Sequence, residues 1–144
     1  MKQPKAIPDH YPVIALAGNP NVGKSTLFNS LTTGKKQHTG NWIGKTTANA
    51  WGICHSPARD YTLVDIPGTY SLSSRSAEEE VARDFICFGA HQAVVIVCDA
   101  TCLERGLLLV MQVLETCPRA LLCVNLLDEA EKRQITIDLP QLEQ

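Results

Sequence analysis

The stretch that most constrains this chain is Gly18-Asn-Pro-Asn-Val-Gly-Lys-Ser25, set between an apolar run at residues 13–17 and a segment with Leu27, Phe28 and Leu31 at helical spacing. The pattern G-x-x-x-x-G-K-[ST] between a strand and a helix is a phosphate-binding loop. Glycines let the backbone approach phosphates, while the loop N–H groups and the helix N-terminus supply positive potential. Lys24 is placed to reach the β- and γ-phosphates of a nucleotide, and the Ser25 hydroxyl to ligate Mg²⁺. Gly18, Asn19, Pro20, Asn21, Val22, Gly23, Lys24, Ser25 and Thr26 are therefore the first nucleotide-binding candidates. The bland alternative is an ordinary glycine turn before a helix with Lys24 merely solvated, and the full pattern in its strand-to-helix setting outweighs it.

A phosphate loop alone does not separate GTP from ATP. Asn125-Leu-Leu-Asp128 follows the apolar run at residues 120–124, where a guanine-reading N-x-x-D sequence would sit. A carboxylate at Asp128 can accept from guanine N1–H and the exocyclic amine, whereas adenine has no donor at N1. A mismatched base would leave that buried carboxylate unpaired, a discrimination of roughly 10⁴ in favourable cases. Asp65-Ile-Pro-Gly68 follows another apolar run and matches D-x-x-G, which places an Asp near Mg²⁺ and a Gly N–H at the γ-phosphate. Each short motif has a local reading: Asn125 capping a strand, Asp128 capping a helix, Pro-Gly as a type II turn. Three motifs in this order, each after an apolar strand, outweigh those readings.

Residues 47–54 and 61–64 read as a hairpin bent at Pro57, residues 93–98 as a buried strand, and residues 35–45 as an exposed loop punctuated by Gly40 and Gly44. Ser76-Ala-Glu-Glu79 is a capping box opening an amphipathic helix that closes near Gly89, and Thr101-Cys-Leu-Glu104 reads as a second, opening a helix that stops at Pro118. The helix from Lys24 is expected to end near Gly34, and residues 128–133 read as a short charged helix with Glu129 four residues before Arg133. The alternation predicts an α/β, doubly wound, mostly parallel sheet with helices on both faces and ligands at the carboxyl ends of its strands.

With 144 residues the chain suits one domain: residues 1–12 as an N-terminal extension and 13–144 as the domain. The formal net charge of −2 supplies no general attraction to nucleic acid, and no apolar run reaches the length of a membrane span. The first twelve residues lack the apolar core of a secretory signal, which places the chain in the cytosol. None of the six cysteines forms a C-x-x-C pair, and the four histidines stand apart, so buried reduced thiols and no structural metal site are expected.

Gln37-His-Thr-Gly-Asn-Trp-Ile-Gly-Lys-Thr46, with Gly18-Asn-Pro-Asn21, Asp65-Ile-Pro-Gly-Thr-Tyr-Ser-Leu72, Val81-Ala-Arg-Asp-Phe85 and Asn125-Leu-Leu-Asp-Glu-Ala-Glu131, resembles the N-terminal G domain of the ferrous iron transport protein B (FeoB) family. The resemblance implies a Ras-like P-loop GTPase fold lacking the last strand and helix. It implies a slow, K⁺-assisted hydrolysis of GTP. Thr46 is then the switch I threonine that ligates Mg²⁺ beside Ser25 and Asp65, and residues 68–73 form switch II. K⁺ is coordinated by Asn21 and by backbone carbonyls of the loop matching Gly40 to Trp42. Lys24, Thr46, Asn21 and Gly68 are the catalytic candidates.

The implied partners are GTP and GDP and, in an intact protein, a helical regulatory domain and a membrane pore for Fe²⁺ uptake, with this domain on the cytoplasmic face. Iron itself has no ligand cluster here. Leu126 stands for the lysine of the common N-K-x-D form, Ile43 and Lys45 depart from the usual switch loop, and Thr69 follows Gly68 where many GTPases keep a glutamine. The absence of the final base-contacting loop suggests weakened nucleotide affinity. Two rivals share the core: a GTPase of ribosome assembly or tRNA modification, which salt-dependent RNA binding would reveal, and a GDP/GTP-sensing module without hydrolysis.

Overall fold

A computed structural model describes residue 7 and residues 10–32, 38–41, 48–73 and 75–143, with the backbone alone for residues 38–41, 48 and 49. Six strands form one sheet: β1 (Val13–Gly18), β2 (His38–Asn41), β3 (Ala48–Cys54), β4 (Tyr61–Asp65), β5 (Ala93–Asp99) and β6 (Ala120–Asn125), in the order β2-β3-β4-β1-β5-β6. β4, β1, β5 and β6 run parallel, whereas β3 pairs antiparallel with β4 and β2 antiparallel with β3. The expected hairpin is thus present, with Trp51 opposite Val64 and Cys54 opposite Tyr61.

The helices are α1 (Lys24–Leu31), α2 (Ala77–Phe88), α3 (Leu103–Thr116), α4 (Leu127–Lys132) and α5 (Leu139–Leu142). They divide the apolar side chains between the two sheet faces. Alternate residues of β1 and β5 (Ala15, Ala17, Val94, Ile96) pack with Phe85 and Ile86 of α2 and Leu109 and Val113 of α3 in the main core. On the opposite face Leu16 and Leu63 pack on Phe28 of α1. Burying Phe28 contributes about 2–3 kcal/mol, enough to fix the helix that carries the phosphate loop against the sheet. At the other end of this sheet, Leu121 of β6 remains 63% exposed.

Four local expectations are corrected. The segment read as part of a loop contains β2, paired from His38↔Trp51 to Asn41↔Ala48. α1 ends at Leu31, earlier than Gly34, because Thr32 turns into extended backbone and bonds the Phe28 carbonyl through both its N–H and its hydroxyl. The Ser76 cap holds, with Glu79 N–H donating to Ser76 Oγ at 3.1 Å. The Thr101 cap does not: Asp99 accepts from Thr101 N–H and Oγ1, both at 2.7 Å, opening a 3₁₀ turn over Ala100–Cys102 from which α3 continues without a side-chain cap. A strand-end carboxylate accepts more strongly than a hydroxyl, so the stronger acceptor takes the site. Finally, Glu129 pairs with Lys132 at 2.7 Å instead of Arg133. The tail forms the short α5, capped by Asp138.

Candidate functional site

The phosphate loop is built where β1 runs out. Gly18 lies so close to β5 that a Cβ there would stand 2.6 Å from the Val97 carbonyl oxygen. Gly23 has φ +82°, in the left-handed region that favours glycine, and serves as the N-cap of α1 with no side-chain acceptor. The first turn of α1 carries no acidic residue. The helix N-terminus therefore keeps its N–H groups and positive end for an anion. Asn21 also has a positive φ (63°), which turns the loop, and the buried Val22 anchors it beneath.

Lys24 and Ser25 of α1 converge on Asp65 at the end of β4. The largely buried Lys24 ammonium pairs with Asp65 Oδ1 and donates to the Ile66 carbonyl at 2.6 Å, while Ser25 Oγ donates to Asp65 Oδ2 at 3.1 Å. Two hard oxygen donors so close together suit a small divalent cation such as Mg²⁺, which is held by few protein ligands. Parallel pairing of β1 with β4 sets this geometry: Leu16 lies opposite Asp65, and the D-x-x-G turn then runs along the loop, with Thr69 N–H bonded to the Gly18 carbonyl at 3.0 Å. Gly68 packs on Pro20, where a Cβ would meet the proline backbone at 3.0 Å. The fully buried Thr69 turns its hydroxyl to the Ser71 carbonyl at 2.6 Å, so it holds the turn and does not face the phosphate loop.

A cavity of about 530 Å³ opens between residues of the phosphate loop, from Asn19 to Thr26, and Gly68 with Glu78. The sequence reading missed Glu78, because its only visible signal there is membership of the Ser76 capping box. Asn19 is 5% exposed and its Oδ1 has no hydrogen-bond partner.

On the base side, Asn125 at the end of β6 donates through Nδ2 to the Val22 carbonyl at 3.0 Å. The local reading of Asp128 as a helix cap fails: the N-cap of α4 is Leu126, in the left-handed region (φ 61°), with no side-chain cap. Asp128 follows in the first turn with its side chain 74% exposed and Lys132 at 3.9 Å. The carboxylate expected to be buried thus stands in solvent.

Thr46 and Trp42 lie outside the described residues, and Gly40 sits in β2 opposite Asn49. Among the described residues no group of three His, Cys, Asp or Glu could hold a metal ion. Within the same residues no helix is long and apolar enough to cross a membrane. Each of the six cysteines is unpaired: Cys98 and Cys117 are buried and Cys102 is exposed.

The sequence pattern of the ferrous iron transport protein B family matches residues 12–144. The chain belongs to that family. It is 44% identical over 133 residues to the Fe(2+) transporter FeoB of Salmonella typhimurium (strain LT2), covering 90% of this chain and 17% of the transporter, and equally to that of Escherichia coli (strain K12). The chain thus spans about one sixth of these relatives' length. Among solved structures, the G domain of the T. maritima FeoB iron transporter superposes with TM-score 0.84 at 40% identity, over 93% of this chain and 81% of that one. The FeoB G domain of Methanococcus jannaschii gives 0.77 at 41%, over 92% and 78%. The GDP form of the T. maritima cytosolic domain gives 0.87 at 40%, with 52% of that longer chain covered. This chain is accordingly a nucleotide-binding G domain of the FeoB type with the P-loop GTPase fold.

Proposed function

We propose that the domain binds GTP and GDP with Mg²⁺, hydrolyses GTP slowly with assistance from K⁺, and within a longer protein controls Fe²⁺ uptake through a helical domain and a membrane pore, working on the cytoplasmic face. The observation that carries this reading is the convergence of Lys24 and Ser25 on Asp65 beside an uncapped helix N-terminus. The backbone N–H groups of residues 18–26, Pro20 excepted, and Lys24 hold and neutralise the phosphates. Ser25 and Asp65, joined by Thr46, would hold Mg²⁺, which would supply positive charge beside the phosphates. Asn21 and the carbonyls of Gly40 and Trp42 would hold K⁺ beside the phosphates, where it would supply positive charge against the negative charge that builds as the bond to the γ-phosphorus breaks.

Water attacks the γ-phosphorus, and the bond between that atom and the bridging oxygen to the β-phosphate breaks, giving GDP and phosphate. Gly68 N–H would hydrogen-bond the γ-phosphate, so its presence positions switch II and its loss releases the segment. Asn125 holds the base-side strand to the phosphate loop, and Asp128 would read guanine from the solvent-facing first turn of α4 once a base covers it.

Displacement of a fluorescent GDP analogue by unlabelled GTP, GDP and ATP, followed by single-turnover hydrolysis in K⁺ and in Na⁺, tests the reading. Displacement by guanine nucleotides and faster hydrolysis in K⁺ are expected. Equal displacement by ATP would remove the guanine assignment, and no hydrolysis in either salt would leave a binding module. Thr46→Ala is expected to slow hydrolysis while sparing GDP binding.

A further inference from the structure

α3 reaches across to the turn that follows D-x-x-G. Gln112, on the third turn of that helix, accepts the Leu72 N–H through Oε1 at 2.7 Å, a bond between residues forty positions apart. The Leu72 side chain packs on the main core, so both its backbone and its side chain are fastened to one place. At the other end of the same short segment, Thr69 N–H is bonded to the Gly18 carbonyl and Thr69 Oγ1 to the Ser71 carbonyl. Between Gly68 and Leu72 the chain is thus held at both ends: by the phosphate loop through Thr69, and by α3 through Gln112.

A loop N–H outside regular structure ordinarily takes water or a nearby side chain as its acceptor. Here it takes the amide oxygen of a half-buried glutamine, a flexible side chain whose ordering costs entropy and which a merely apolar helix face would not require. From this we infer that Gln112 is a positioning residue: it latches residues 69–73 to α3 and thereby sets where Gly68 N–H stands relative to the γ-phosphate. The inference rests on the GTPase reading for its consequence and on geometry alone for the latch. GDP has no group at the γ position, so the latch acts on the triphosphate state and leaves GDP binding unchanged.

The experiment compares the chain with Gln112→Met, which keeps the length and removes the acceptor, and with Gln112→Glu, which keeps an acceptor. Amide hydrogen exchange at Leu72 reads the latch, and the affinities for GDP and a non-hydrolysable GTP analogue read its consequence. In Gln112→Met, Leu72 exchange accelerates while β1 amides keep their protection. Affinity for the analogue falls about fivefold, as for one hydrogen bond lost, with GDP affinity unchanged and Gln112→Glu restoring both readouts. Unchanged Leu72 exchange in Gln112→Met would overturn the latch, whether or not the chain binds nucleotide. Faster exchange with an unaltered ratio of analogue to GDP affinity would overturn the positioning role and leave a purely structural bond. Failure of the unaltered chain to bind either nucleotide would count against the GTPase reading, and Leu72 exchange would still decide the latch.

Discussion

Asn125 and Val22 stand 103 residues apart and are joined by a single hydrogen bond, from the Asn125 side-chain amide to the Val22 carbonyl at 3.0 Å. The bond ties the end of β6 to the centre of the phosphate loop. It also accounts for Gly23, where a Cβ would fall 2.4 Å from Asn125 Nδ2.

Removing that tether should cost nucleotide binding more than it costs folding. Asn125→Ala leaves the Val22 carbonyl without its partner and frees the loop, so affinity for GDP is expected to drop by about 1–2 kcal/mol, roughly five- to thirtyfold. Displacement of a fluorescent GDP analogue checks this. An affinity equal to that of the parent chain would show that the loop holds its shape unaided.

Asp65 links the ion pair to the cation site. Asp65→Asn keeps the shape and the hydrogen bonding to Ser25 while removing the charge that Lys24 faces. Nucleotide affinity measured with and without Mg²⁺ should lose most of its dependence on the ion, because one of the two described oxygen donors becomes neutral. A preserved Mg²⁺ dependence would place the ion on other ligands.

Leu126 adopts φ 61° immediately before α4. A branched apolar side chain in the left-handed region is strained by about 1–2 kcal/mol, whereas asparagine visits it readily. Leu126→Asn is therefore expected to raise stability by about 0.5–1 kcal/mol, less than the full strain because Leu126 is half-buried and some packing is lost. Thermal unfolding measures the change, and a lower midpoint would mean that packing outweighs strain at this position.

Cys98 lies beneath α3, where a Cβ on Gly106 would come within 2.6 Å of its sulfur. Burial, with smaller contributions from Cys123 and Cys102, pushes its thiol up from 9.0 to about 11. The unfolded chain therefore ionises this thiol first as pH rises. Its contribution to stability is complete below pH 9.0 and is lost as pH climbs through about 11. Unfolding midpoints across that window should fall more steeply for the parent than for Cys98→Ala. Alkylation at neutral pH should label the exposed Cys102 and spare Cys98 until the chain unfolds.

Features with local causes were legible in the residues alone. The glycines and lysine of residues 18–25, the apolar runs that became β1, β4, β5 and β6, and the Ser76 cap of α2 depend on neighbours a few residues away, and each stands where the pattern placed it. Tertiary structure decided the rest, because those features have partners far along the chain. His38-Thr-Gly-Asn41 carries no alternating apolar pattern and becomes a strand because β3 offers it a ladder. Asn125 meets Val22, and Gln112 meets Leu72, only after the parallel order β4-β1-β5-β6 has gathered the carboxyl ends of the strands along one edge. A hydrogen bond between side chain and distant backbone leaves no periodic trace in a sequence, since one residue of ordinary type suffices to make it.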